Sequence, residues 1–391
     1  MLLKEDEYRM RLYEHEAKTI FKKFGISIPR GRLAETPTQA REVAAELGVP
    51  VLLKAQILTG GRGKAGGIQR ADNLDEAEER SLQLLGSSLH GFQVHKLLVE
   101  ERLDVERELY IAVTIDYEKR MPVLIASSEG GVEIEEIVNE TPEKIVSKHI
   151  NILRGVRGYE AREVIRKIGL TGSTMNRIGN ILLQLFNIFM EYDAEIAEIN
   201  PLIITRDGKV IATDAVLNIE EHSLFRHPDL NSLRIERIEN LLEREGQKMG
   251  VNYVDLKGSL AIVGNGAGLV MTILDQVKQA GGEVACFLDT GGGLSSERME
   301  NAMNLLLKKG KLDPHVKAIF FMFRLMISPP DAMASGIKNV LLKEQSRIPI
   351  IGVISGRTEY VKRAHELLEE SMIELYPTME EGIKAAIEAS R

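Results

Sequence analysis

The stretch SLAIVGNGAGLVMTILDQVKQAGGEVACFLDTGGG, from Ser259 to Gly293, decides the fold of the second half of the chain. An apolar strand (SLAIV) runs into a glycine loop (GNGAG) and an apolar helix, and a second strand (VACFL) runs into a second glycine loop (DTGGG). The alternation continues with helix SERMENAMNLLLKK, strand VKAIFFMF, helix DAMASGIKNVLLK, strand IPIIGVI, helix EYVKRAHELLEE, short strand IELYP and a final helix. Continuous apolar strands between amphipathic helices mean a parallel sheet buried on both faces.

Five such strands suggest a flavodoxin-like order. Ligands bind at the carboxyl ends of strands in such sheets, which places Asn265, Gly266 and Gly268 on one edge with Gly291, Gly292 and Gly293. The spacing of Gly264, Gly266 and Gly268 is not the dinucleotide fingerprint, and the second strand ends in Asp289-Thr290-Gly291 rather than in a lone ribose-binding acid. A nicotinamide dehydrogenase is disfavoured, and glycines that merely serve turns are the stronger rival.

Upstream, the chain mixes helices and strands. RLYEHEAKTIFKKFG has helical spacing and stops at Gly25, and TPTQAREVAAELG reads as a helix to Gly48. The strand PVLLKAQIL then delivers Lys54 into KAQILTGGRGKAGG, Lys54 to Gly67, where glycine and positive charge coincide. Bare backbone lets main-chain N–H groups approach an oxyanion, so phosphate is the first candidate, with a flexible basic surface loop as the alternative. A P-loop is excluded, because Gly63-Lys64 is followed by Ala65 and no hydroxyl is available for a metal ion. VHKLLVEERL and ERELYIAVTID read as strands of an antiparallel sheet to which RMPVLIASSEGGVEIEEI adds another, and a long helix follows from about Ser173 to Met190.

The hairpin EIAEINPLIITRDGKVIATDAVL carries the next candidate site. Glu198 and Asn200 are two apart on a strand and share a face. A two-residue loop of Asp207-Gly208 would set Asn200 opposite Ala215 and turn Asp214 away. A three-residue loop of Arg206-Asp207-Gly208, with Gly208 left-handed, sets Asn200 opposite Asp214. The second register is preferred, because a facing carboxylate and amide oxygen form a hard-oxygen site suited to magnesium. A solvent-facing polar pair is the alternative reading. Residues Arg237 to Met249 read as a charged connector helix, giving domains at 10–235 and 256–391 with a connector over 236–255.

Composition bounds the function. The 391 residues suffice for two or three domains, and a formal net charge of -8 argues against a nucleic-acid partner held by a general basic field. The single cysteine, Cys286, leaves no intrachain disulfide and no Cys-rich metal site, so a reducing compartment, the cytoplasm by default, is expected. No apolar run approaches membrane-spanning length, and Met1 to Glu7 read as a short extension. His90 with His95 and His222 with His227 lack the spacing of a helical metal site and read as surface histidines.

KAQILTGGRGKAGG, SSEGGVEIEEI, AEINPLIITRDGK, LFRHPDL, GNGAGL and FLDTGGG occur in this order, and together they resemble the β subunit of succinyl-CoA synthetase, the ADP-forming succinate–CoA ligase, from about Met10 to the C-terminus. The resemblance implies an α/β chain: an ATP-grasp domain of mixed α+β structure followed by a flavodoxin-like CoA-ligase domain. It also implies an α subunit, in an αβ or α2β2 assembly, that carries a phosphorylatable histidine and most of the CoA site. ATP and Mg2+ are the implied cofactors. By resemblance, Lys54 contacts the nucleotide phosphates and Gly61, Arg62 and Gly63 form the loop over them. Glu100, with the backbone near Arg102 and Leu103, holds the adenine, and Glu108 faces the nucleotide. Asn200 and Asp214 match the magnesium ligands, and Glu198 faces the phosphohistidine. Pro29, beside the expected base pocket, favours adenine over guanine. Asn265 and the glycine loops of the second domain match the acid-binding side.

One loop departs from the family. Where relatives carry N-x-F-G-G-I, this chain reads MFRLMI, with Leu325 and Met326 in place of the two glycines before Ile327. Bulky side chains there oppose close backbone approach. Three readings follow: another acid such as malate whose apolar part meets Leu325 and Met326, a carboxylate gripped by Arg324, or a non-catalytic, regulatory paralogue that still binds nucleotide. Succinate is the expected acid.

Overall fold

Residues 10–132, 134–344, 348–369, 371 and 373–391 are described by the computed structural model, and the expected extension Met1 to Glu7 lies outside them. The chain divides into two units, Met1–Pro228 and Asp229–Arg391.

Unit 1 begins with strand β1 (Met10–Arg11) and helix α1 (Glu14–Lys23). The Glu16 side chain accepts the Tyr13 N–H at 2.8 Å and so satisfies a donor that the first turn leaves open. Next come β2 (Gly31–Ala34), α2 (Pro37–Leu47), β3 (Val51–Ala55), β4 (Ile68–Ala71), α3 (Leu74–Leu84), β5 (Ser88–Leu89), β6 (Phe92–Gln93) and β7 (Leu97–Glu101). Thr36 and Asn73 cap α2 and α3 by accepting the backbone N–H groups of Gln39 and Glu76. The antiparallel sheet β2-β7-β3-β4 shares one core with these helices, in which Val43, Ala44 and Ala77 meet Leu53, Leu97 and Val99.

The larger sheet of unit 1 takes β8 (Val105–Asp116), β9 (Met121–Ser127), β10 (Ile145–His149), β11 (Ala194–Thr205), β12 (Val210–Ala212) and β13 (Val216–Ile219). Its order is β1-β13-β11-β8-β9-β10, with β12 also paired to β11 and every pairing antiparallel. Helices α4 (Ile134–Glu140), α5 (Gly158–Lys167) and α6 (Gly172–Glu191) fall between β9 and β11, and α6 buries Ile178, Leu182, Leu185 and Phe189 on one side. The expectation that VHKLLVEERL and ERELYIAVTID share one sheet is corrected here. Strand β7 pairs with β2 and β3 while β8 pairs with β9 and β11, so residues 102–104 pass the chain from one sheet to the other.

The hairpin adopts the three-residue loop. Thr205 N–H donates to the Lys209 carbonyl at 2.9 Å, and Gly208 sits at φ +77°. Leu202 pairs with Ala212 on one side of the Asn200 step and Glu198 with Val216 on the other, both in the register that sets Asn200 opposite Asp214.

Unit 2 begins one residue into α7 (Pro228–Glu236) and continues with α8 (Leu241–Lys248), β14 (Asn252–Asp255), β15 (Leu260–Gly264), α9 (Ala267–Gln279), β16 (Val284–Asp289), α10 (Ser296–Leu312), β17 (Ala318–Leu325), α11 (Pro330–Lys343), β18 (Ile350–Gly356), α12 (Thr358–Leu368), β19 (Ile373–Tyr376) and α13 (Met379–Ala389). Five parallel strands in the order β16-β15-β17-β18-β19 give the flavodoxin-like sequence 2-1-3-4-5. The segment 236–255, expected as a connector helix, is instead part of this unit. Its helix, α8, spans only Leu241–Lys248, and β14 adds an antiparallel edge strand on β16, with Tyr253 opposite Leu288.

Candidate functional site

Six charged side chains gather in unit 1 where α1, the end of β3 and the glycine loop converge. Glu14 and Lys18 stand four apart on α1 and join Lys54, Arg62 and Glu100, all of them buried, with Asp214 at the margin. Glu14 Oε1 lies 2.7 Å from Lys18 Nζ and 3.0 Å from Lys54 Nζ, while Glu14 Oε2 accepts from Arg62. Glu100 Oε1 accepts from Lys18, and its Oε2 lies 2.9 Å from Lys54 Nζ. Both lysines also donate to the Thr213 carbonyl. Arg62 reaches Asp214 Oδ1 at 3.0 Å and the Ala55 carbonyl at 3.0 Å.

Three cations thus balance three carboxylates, which is what burial demands, since an unpaired charge out of water is costly. Burial pushes the Glu14 carboxyl up, but Arg62, Lys18 and Lys54 outweigh it and hold the group well below the usual carboxylate range. For Lys54, burial favours the neutral amine, and Glu14, Glu100 and Asp214 more than offset it, so the ammonium is retained and its pKa is raised. Burial wins at Lys18, whose pKa is lowered.

The loop that carries Arg62 is wound on itself. Gly67 N–H donates to the Arg62 carbonyl at 2.8 Å, Gly66 N–H to the Gly63 carbonyl at 3.1 Å, and Gly61 takes φ +70°. At Gly67 a Cβ would meet the Arg62 carbonyl oxygen at 3.0 Å. The flexible-loop alternative is therefore set aside, and Arg62 is a buried cation rather than a surface one.

Asn200, Glu198 and Glu108 lie along β11 and β8. Asn200 clasps the loop after β9: its Oδ1 accepts the Gly131 N–H at 2.8 Å and its Nδ2 donates to the Val132 carbonyl at 2.9 Å. Gly130 packs so closely on β8 that a Cβ would lie 2.4 Å from the Leu109 carbonyl oxygen, and one on Gly131 would meet Glu108 Oε2 at 2.3 Å. Burial raises the Glu108 pKa. Glu198 Oε2 accepts from the Tyr110 hydroxyl at 2.9 Å. Asp214 Oδ1 is shared by Arg62 and the Ala215 N–H, which leaves Oδ2 without a hydrogen bond from the described residues. Both proposed metal ligands offer hard oxygens, and the Asp214 side chain is 27% exposed, so the donor chemistry fits magnesium.

Glu100 departs from its expected place. Its side chain is a counter-charge for Lys18 and Lys54, and its backbone sits between Gly31 and Leu52 in the β2-β7-β3 ladder. Arg102 and Leu103 lie in the crossing between sheets, where Arg102 is exposed and its N–H donates to the Pro50 carbonyl at 3.2 Å.

At the carboxyl edge of the unit 2 sheet, an amide, a carboxylate and a hydroxyl tie the loops together. Asn265 accepts the Arg324 N–H at 2.8 Å and donates to the Arg324 carbonyl at 3.1 Å. Asp289 Oδ1 accepts from Gly266 N–H (2.6 Å) and Gly291 N–H (2.8 Å), which joins the two glycine loops, and Ser328 Oγ accepts from Leu294 N–H at 3.2 Å. Leu325 corrects an expectation. Ile319, Phe321, Phe323 and Leu325 alternate along β17 into one core, while Ala318, Phe320 and Met322 enter the core on the other face. Leu325 is fully buried, so its side chain lines no ligand surface; Met326 and Ile327 are 44% and 89% exposed.

Sequence reasoning missed Glu14 and Lys18. The available signal was a charged pair at i and i+4 in the stripe Glu14, Ala17, Lys18, Phe21, where an amphipathic helix normally places apolar residues.

Two family models match the chain: an ATP-grasp domain over residues 11–204 and a CoA-ligase over residues 263–388. The class is thus an ATP-grasp domain followed by a CoA-ligase domain. Over 378 residues the chain is 41% identical to the GDP-forming succinate–CoA ligase subunit beta of Thermus thermophilus, a match covering 97% of this chain and 98% of that one. It is also 41% identical over 378 residues to the ADP-forming subunit beta of Halorubrum lacusprofundi, with 97% and 98% covered. The chain belongs to the succinate–CoA ligase β-subunit family. The structure of ATP citrate lyase from Methanothrix soehngenii in complex with citrate and coenzyme A shares the fold, with a TM-score of 0.73 at 17% identity over 97% of this chain and 100% of that one.

Proposed function

We propose that the chain is the β subunit of a ligase that joins succinate to CoA at the expense of ATP. The observation that carries this reading is the buried, charge-balanced cluster of Lys54 and Arg62 beside the wound glycine loop, in a chain of this family. Lys54 and the backbone of Gly61 and Gly63 take the nucleotide phosphates. Glu108 faces the nucleotide, and the crossing at Arg102 and Leu103 holds the base. Adenine is the proposed base, on the reading of Pro29. Mg2+, held by Asp214 with the Asn200 amide oxygen, supplies charge neutralisation at the transferred phosphoryl group.

The γ-phosphoryl group leaves ADP and forms a P–N bond with a histidine of a partner α subunit, with Glu198 facing that histidine. It then passes to a succinate carboxylate oxygen, and attack of the CoA thiol on the carbonyl carbon forms the C–S bond as phosphate departs. Asn265, the glycine loops and the exposed Met326 and Ile327 form the acid-facing edge. The assembly is αβ or α2β2, and the cytoplasm is its proposed location. No helix among the described residues is long and apolar enough to cross a membrane.

The test is thioester formation by the chain co-expressed with its α partner, supplied with ATP, Mg2+, CoA and a panel of succinate, malate and small monoacids. Succinyl-CoA as the main product is expected. Turnover with another acid overturns the substrate assignment, and absence of nucleotide-dependent α phosphorylation overturns the reading of unit 1.

A further inference from the structure

We propose that Glu14 is a positioning residue for phosphoryl transfer, the single carboxylate that fixes the spacing between the strand cation Lys54 and the loop cation Arg62. The inference rests on the nucleotide-site reading above. Lys54 lies one residue before the end of its strand and Arg62 belongs to a loop that is tied to that strand end, since Arg62 donates to the Ala55 carbonyl at 3.0 Å, but among the described residues no backbone contact reaches both charged heads. Glu14 comes from α1 and touches both: Oε1 lies 3.0 Å from Lys54 Nζ and Oε2 accepts from Arg62. It also holds Lys18 at 2.7 Å, and of the three carboxylates it alone contacts all three cations.

Glu14 is itself fixed. It is 4% exposed, at the first turn of α1, and Gln56 approaches its Oε2 from one side while donating to the Lys54 carbonyl at 3.1 Å. The His15 N–H, next along the helix, donates to Gln56 Oε1 at 3.2 Å and anchors that amide. Phosphoryl transfer depends on cations placed where charge spreads over the equatorial oxygens, so an error in the Lys54 to Arg62 spacing weakens the transition state more than the bound nucleotide.

The test uses the chain with its α partner and reads phosphorylation of the partner's histidine in a single turnover, alongside equilibrium binding of ATP with Mg2+. Glu14→Gln is expected to slow phosphoryl transfer about tenfold or more while changing the nucleotide Kd less than about threefold, a split expected of transition-state positioning. Glu14→Asp keeps the charge but draws it back by one methylene, and an intermediate rate at unchanged Kd is expected. Wild-type transfer rates in both folded variants overturn the proposal. So does an unfolded Glu14→Gln combined with a fully active Glu14→Asp, because the carboxylate then serves the fold alone. Lys54→Met separates the two levels of argument. If it retains nucleotide-dependent phosphorylation, the site reading fails; if it loses that activity while both Glu14 variants match wild type, only the Glu14 inference fails.

Discussion

Lys18, Lys54 and Arg62 sit in unit 1 among Glu14, Glu100 and Asp214, whereas the glycine loops of unit 2 are held by the Asn265 amide, the Ser328 hydroxyl and the Asp289 carboxylate acting on backbone N–H groups. Both arrangements suit anions, but they differ in what must be stabilised. Cations taken out of water need counter-charges, so the unit 1 site is a closed electrostatic network in which every member depends on several others. Backbone dipoles need no counter-charge, only a fixed direction, and a few side chains supply it: Asp289 to both loops, with Ser328 and Arg298 on the second. Asn200 and Asn265 are the device common to both units, each clasping an N–H and a C=O of a neighbouring segment.

If this contrast is right, the largest effect belongs to the charged network. Arg62→Ala leaves Glu14 and Asp214 short of a partner and is expected to destabilise unit 1 by about 3–5 kcal/mol, measured by denaturant unfolding. A loss below about 1 kcal/mol, the level of a surface pair, would break the comparison. In unit 2 the effect should come from packing. Leu325→Ala is expected to cost about 2–5 kcal/mol by leaving a cavity, whereas Met326→Ala, at a 44% exposed position, should stay within about 0.5 kcal/mol.

Cys286 reports on unit 2 alone. Burial pushes its thiol up to about 12, so a thiol reagent at neutral pH should label it only after unfolding. Labelling should quicken in Leu325→Ala and be unchanged in Arg62→Ala. The smallest effect is the response to acid. The folded pKa of Glu14 lies below its unfolded value of roughly 4.3, so its stabilisation is complete above that pH and is lost as pH falls towards the folded value. Hydrogen exchange followed downward from pH 5 should show unit 1 opening first. Unit 2 has its own depressed carboxyl, Asp313, held at about 2 by the His315 N–H and Lys309, but it stands near the surface, where solvent weakens the linkage.

Much of the fold was legible because it rests on local periodicity. Strands of alternating core faces and helices of 3.6-residue spacing announced the parallel sheet, whereas Asp207-Gly208 allowed two hairpin registers, and the one that sets Asn200 opposite Asp214 was preferred for the chemistry of the facing oxygens. Strand β14 was not legible, since Asn252, Tyr253, Val254 and Asp255 carry little apolar signal and become a strand only by pairing with β16. The role of Leu325 is carried by strand parity rather than by the loop motif, because the alternation of Ile319, Phe321 and Phe323 points its side chain into the same core.

By itself, the sequence determined the order of elements, the family, the glycine loops and the candidate residues Lys54, Glu198, Asn200 and Asp214, because these follow from spacings of a few residues or from ordered motifs. Only the tertiary structure decided that Glu14 and Lys18 complete the charged cluster, that Glu100 turns inward to neutralise it, and that Arg62 is buried. Glu14 meets Lys54 and Arg62 across 40 and 48 positions of sequence, and the requirement that buried charges find partners acts on distances that exist only once the chain has folded.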